Sequence, residues 1–161
     1  MTVVEGRMAG PDMLRTLQGV VHVSNVMTEL RRWLLTRPEV LEVNSSCQMA
    51  SIEFREDGWA YTLHKGDGVD LDWWLDADLW GGLRLLASVG CRHTRRLGWE
   101  VGIKAWAEDA DGEDHTLYDV EVLGLESDEQ TLTQLRAGAD DLFAARDRLM
   151  SDLSDLAARS R

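Results

Sequence analysis

Two cysteines, four histidines and many carboxylates are the residues best able to do chemistry in this chain, and their spacing argues against a reactive centre. Cys91 and His93 lie two positions apart, with Cys47, His64 and His115 as distant additions, a fragment of a zinc set. Zinc sites usually draw on C-x-x-C or H-x-x-x-H pairs, and the sequence has neither. Arginines at 92, 95 and 96 crowd His93 and disfavour a further cation there. The run from Glu108 to Asp114 has the acidity of a calcium loop. With Gly112 in the sixth place, however, that loop would begin at Ala107 and end at Tyr118, neither of them a carboxylate ligand. No G-x-S-x-G, G-x-x-x-x-G-K-[ST] or G-x-G-x-x-G motif occurs. The expectation is a protein with no catalytic residue, no metal and no cofactor.

Charge is the more informative signal. The formal net charge is −12, and residues 98–130 hold eleven acids against one base, Lys104. The remainder of the chain is close to neutral. A segment of this sign repels phosphate backbones and anionic lipid, so nucleic acid and membrane are excluded as direct partners. A basic protein surface fits the sign. The candidate partner-binding residues are Glu100, Trp106, Asp109, Asp111, Glu113, Asp114, Asp119 and Glu121. Carboxylates would steer the encounter, and an outward tryptophan would supply apolar contact.

Two hairpins are expected to position these residues. Asp57-Gly58 suits a tight two-residue turn, in which paired positions sum to 115 and Phe54 meets Tyr61. Asp111-Gly112 suits a second, with paired positions summing to 223. Val101, Ile103 and Ala105 then meet Val122, Val120 and Tyr118 on one face, and Lys104, Gly102 and Trp106 meet Asp119, Glu121 and Leu117 on the other. A slip by one residue would place the valines opposite charges, which pins the register.

Between the hairpins, residues 70–96 read as a helix, with Asp70, Asp72, Asp76 and Asp78 at its start and Arg92, His93, Arg95 and Arg96 at its end. That arrangement complements a helix dipole, although Gly81-Gly82 weakens the middle. Ser24 or Asn25 could cap an earlier helix ended by Pro38, while Val20, Val21 and Val23 leave residues 12–24 open between helix and strand. Ser127 with Gln130 forms a capping box that opens a long terminal helix over 127–160. Leu135, Leu142, Leu149 and Leu156 repeat every seven residues, and Arg146 interrupts the companion series. That pattern predicts an oligomerising seam along a projecting helix.

The sequence therefore predicts one α+β domain over 1–161, in the order α-ββ-α-ββ-α, with two hairpins forming a sheet packed against helices. No apolar run is long enough to span a membrane and no signal peptide is visible, so a cytoplasmic location is expected. The functional expectation is a homodimeric, non-catalytic protein that binds or neutralises a basic partner. The alternatives are an assembly subunit held by the terminal helix, and a small enzyme sited between hairpin and central helix.

Overall fold

In the computed structural model the backbone of residues 3–8, 10–48, 51–55, 58–64, 68–94 and 98–159 is described, with side chains for 18–45, 71–93 and 98–159. The class is α+β, as expected. Strand β1 (Val3–Met8) precedes helix α1 (Gly10–Leu35), and strands β2 (Val40–Gln48), β3 (Ser51–Arg55) and β4 (Gly58–His64) follow. Then come β5 (Gly68–Leu79), β6 (Arg84–Thr94), β7 (Gly98–Glu108) and β8 (Asp114–Leu125), and finally α2 (Asp128–Ala144) and α3 (Arg146–Arg159). The strands make a three-stranded sheet, β1-β4-β3, and a five-stranded antiparallel sheet, β2-β5-β6-β7-β8.

The segment expected to be a central helix is a hairpin of two long strands, β5 and β6. Its apolar residues recur every second position: Trp73, Leu75, Ala77 and Leu79 are buried, as are Leu83, Leu85, Ala87, Val89 and Cys91. That is the period of a half-buried strand. Gly81 and Gly82 have φ of 80° and 76°, a left-handed geometry that favours glycine, and they turn the chain. Of the charges that suggested a dipole, Asp70 and Arg92 are cross-strand partners, and Asp78 stands opposite Arg84. Acids at one end and bases at the other suit a folded hairpin as well as a helix.

The β3–β4 hairpin pairs Phe54 with Trp59 and Arg55 with Gly58, so Gly58 lies in the strand rather than in the turn. This register is two residues from the expected one. A shift of two residues preserves the alternation along both strands, so the apolar pattern in the sequence cannot tell the registers apart. The turn positions themselves, 56 and 57, lie outside the described residues.

The β7–β8 ladder keeps the expected partners from Val101–Val122 to Ala105–Tyr118. Nearer the turn it shifts, and Trp106 faces Thr116 instead of Leu117. The cause is the loop. Ala110, Asp111 and Gly112 make a three-residue connection closed by the Asp109 N–H to Glu113 carbonyl bond of 2.9 Å, with Gly112 at φ 80°. Three-residue loops commonly end on a left-handed glycine, and a bulge farther along β8 restores the register.

Helix α1 takes in the ambiguous residues 12–24. Val20, Val23, Met27, Leu30 and Leu34 form its buried stripe, and bonds from Thr36 and Arg37 N–H to Trp33 and Leu34 carbonyls close its last turn before Pro38. At α2 the Ser127 hydroxyl accepts from Gln130 N–H at 3.1 Å, while the Gln130 side chain reaches back to Glu126 N–H. The box forms one residue wider than the standard reciprocal pair. Helices α1 and α2 pack on each other and on one face of the larger sheet. Among the described residues no helix is long and apolar enough to cross a membrane.

The terminal helical run extends from Asp128 to Arg159 with one interruption at Ala145, and residue 160 of the expected span lies outside the described residues. Its leucines face the chain's own core. Leu135 and Leu142 are wholly buried, Leu149 is 2% exposed, and Leu156 is half-buried against the same core. Two helices of 17 and 14 residues span about 26 and 21 Å at 1.5 Å per residue, so the run need not project from the domain. Arg146 also has partners within the chain. Its guanidinium lies 4.2 Å from the Phe143 ring centre and 5.6 Å from that of Trp33, and it donates to the Phe143 carbonyl. An amphipathic arginine thus closes the edge of the core.

Candidate functional site

Alternation along the strands gives the five-stranded sheet two unlike faces. Odd positions of β5, β6 and β7 point toward α1 and α2, as shown by the Trp73 indole bond to Ser24 and the Trp99 indole bond to Asp128. Even positions form the opposite face. There Trp74 stands against Trp106 edge-on, ring centres 5.9 Å apart, with Leu86 directly across from Trp106.

Around this aromatic pair the carboxylates fall into three groups. Arg84 gathers the first. It is hydrogen-bonded to Asp76, lies 3.6 Å from Asp78 and is 3.4 Å from Glu108. The Asp76 carboxylate, by its hydrogen bond and then by its charge, raises the guanidinium pKa above its ordinary value. The second group is the hairpin tip. One oxygen of Asp109 accepts from the N–H groups of Asp111 (2.9 Å) and Glu113 (3.0 Å), and the other meets His115 Nε2 at 2.9 Å. The third group, Glu100, Asp119 and Glu121, lies along β7 and β8. Asp119 faces Lys104 and Glu121 faces Gly102.

The eight residues selected from sequence therefore lie on one ribbon but divide between tip and sheet face. Asp111, Glu113, Asp114, Asp119 and Glu121 are exposed, and Glu100 and Trp106 are half-buried. Among the described residues, Asp109 is the one carboxylate of the eight with an ion-pair partner, His115; the other pairs in this region use Asp76, Asp78 and Glu108. The eight selected residues leave out Trp74 and the β5 aspartates on the same face, because residues 70–96 read as a helix. Period-two alternation in 71–79 was the signal that would have found them. Asp109, Glu113 and His115 bring three ligand atoms within 4.8 Å of one another. Both Asp109 oxygens are already engaged in holding the turn, so this trio is a turn-forming device.

No protein-family model, curated protein or solved structure matches the chain.

Histidines converging on a pocket would favour the enzyme alternative. His93 packs against the Trp99 ring at 4.9 Å, while His115 faces Ala107. Trp99 and Ala107 are eight residues apart on β7, about 27 Å at 3.4 Å per residue. The two imidazoles do not converge, and the side chain of His64 lies outside the described residues.

The tip carries a pH dependence. The Asp109 carboxyl is held below the usual carboxylate pKa, chiefly by the His115 hydrogen bond and then by the Glu113 N–H. A lowered folded-state pKa stabilises the fold fully above the unfolded value, and the stabilisation is lost as pH falls through the folded value. Acidification past the ordinary carboxylate range should therefore open the tip before the sheet. Amide exchange at Asp111 and Glu113 would accelerate ahead of exchange in β6. Uniform acceleration of both sets, or the same early loosening in Asp109→Ala, would count against this.

Proposed function

We propose that this chain is a non-catalytic binding protein that captures a basic protein partner with the β7–β8 ribbon and the sheet face beside it. One observation carries the reading: Glu100, Asp111, Glu113, Asp114, Asp119 and Glu121 are without ion-pair partners among the described residues. Surface acids neutralised by neighbouring arginines, as Arg84 does for its three, would create little external field. Unpaired acids at a sheet edge and hairpin tip attract cations, and such fields raise association rates by about 10–1,000-fold at low salt. Trp106 and Trp74 provide the apolar surface that turns an encounter into a complex. The oligomerising role first assigned to the terminal leucines is not part of this proposal, because they are used within the chain's own core.

The test is a triple reversal, Asp111→Lys, Glu113→Lys and Asp114→Lys, which leaves Asp109 to hold the turn. With each protein immobilised in host lysate, the parent should retain basic proteins that elute as salt rises. The reversed protein should lose them, with circular dichroism unchanged. Retention of the same proteins by both, or capture insensitive to salt, would remove the electrostatic basis of the reading.

A further inference from the structure

Gly90 and Gly102 pair directly across β6 and β7, near the middle of both strands. Neither is among the glycines with positive φ, so the backbone does not require glycine at either place. Gly90 has a reason inside the chain: the Asp72 carboxylate occupies the space its Cβ would need. Gly102 has none, for a Cβ there would meet nothing within 4 Å. Glycine inside a strand costs about 0.5–1 kcal/mol relative to alanine, and where it persists it often marks a close approach by a ligand or another backbone.

The open space is a depression of about 280 Å³ over the two glycines, on the face away from the helices. Ligand pockets for small molecules run from about 300 to 1,000 Å³, so this one suits the head group of a single side chain. Its walls carry Asp72, Glu100 and Glu121 with Arg92, Lys104 and Ser88. Arg92 stands opposite Glu100 and Lys104 opposite Asp119, whereas Glu121 stands opposite Gly102 and faces no cation in register. A planar guanidinium can lie flat on a surface without a side chain and bind carboxylates with both edges, which an ammonium cannot. Trp106 lies four residues along the same strand face, about 13 Å from Gly102. Residues i and i+4 of an extended segment share one face at that same spacing.

Resting on the reading above, we propose that an arginine of the basic partner docks over Gly102, its guanidinium between Glu100 and Glu121. A large apolar residue four positions away on the same segment then sits on the Trp74–Trp106 pair.

The experiment uses a capped nine-residue threonine peptide carrying Arg and Leu four positions apart, titrated into ¹⁵N-labelled protein. Shifts should centre on the amides of Gly90, Gly102 and Glu121 and on the indoles of Trp74 and Trp106. Gly102→Val should bind at least tenfold more weakly, with a Tm equal to or above that of the parent. Glu121→Gln, which preserves size, should also weaken binding, and serves if the valine variant does not fold. Undiminished binding by both variants, or shifts confined to Asp111–Asp114, would overturn this docking site while leaving the acidic-ribbon reading in place. If no cationic peptide binds and the lysine-reversed tip captures the same proteins as the parent, both fail.

Discussion

Leu142→Ala should destabilise the fold by about 2–5 kcal/mol, the range for removing a buried leucine, and by the same amount at every protein concentration. Leu142 has no exposed surface and shares the buried face of α2 with Thr131, Leu135 and Ala139. Truncating it removes apolar contact and leaves a void between helix and sheet. If the leucine repeat instead joined two copies, the loss would be one of association, and the unfolding midpoint would rise with concentration by mass action. Urea unfolding of parent and variant at widely separated concentrations distinguishes the cases. Superimposable curves for each protein, offset between the two, place the repeat inside one chain. A midpoint that moves with concentration in the parent would restore the seam predicted from the heptads.

The heptad was legible and its partner was not. A repeat of three and four specifies which side of a helix is apolar, and a sheet face satisfies it as well as a second helix. Here the five-stranded sheet and α1 supply that surface. Residues 98–125 were read well because Val101, Ile103, Val120 and Val122 alternate with charged or small residues, and a one-residue slip is penalised at every pair. The departures there come from loop length, since Asp-Gly suits a two-residue turn and also the last two places of a three-residue one. Residues 70–94 were misread because end charges outweighed the alternation Leu71, Trp73, Leu75, Ala77, Leu79. An antiparallel hairpin brings its two ends together, so acids at one end and bases at the other are as natural in β5–β6 as in a helix.

The same misreading hid half of the candidate site. The acidic ribbon was visible because its charges lie close together in the chain. Trp74 and Arg84 reach it only through strand pairing, since β5 joins the face by way of β6. Gly102 was invisible for another reason. What a glycine means depends on what stands over it, and only the folded sheet shows that Asp72 covers Gly90 while nothing covers Gly102.

The seating of β7, which carries both Gly102 and Trp106, depends on a contact with α2. A Cβ at Gly138 would stand 2.6 Å from Cδ1 and Cγ1 of Ile103, which is 1% exposed. Helix propensity alone favours replacing Gly138, because glycine costs about 1 kcal/mol against alanine inside a helix. Packing points the other way. Gly138→Val should lose about 1–3 kcal/mol through overpacking, as the branched side chain drives α2 off the sheet. Ile103→Ala alone should lose about 2–5 kcal/mol by leaving a void. The two changes are complementary in volume, since the valine methyls enter the space the isoleucine vacates. The double variant should therefore be more stable than the sum of the single losses by about 0.5–3 kcal/mol, the coupling usual for touching residues. Denaturant melts of the four proteins close the cycle. Strict additivity, or a stabilising Gly138→Val, would mean that α2 does not rest on β7 through this glycine.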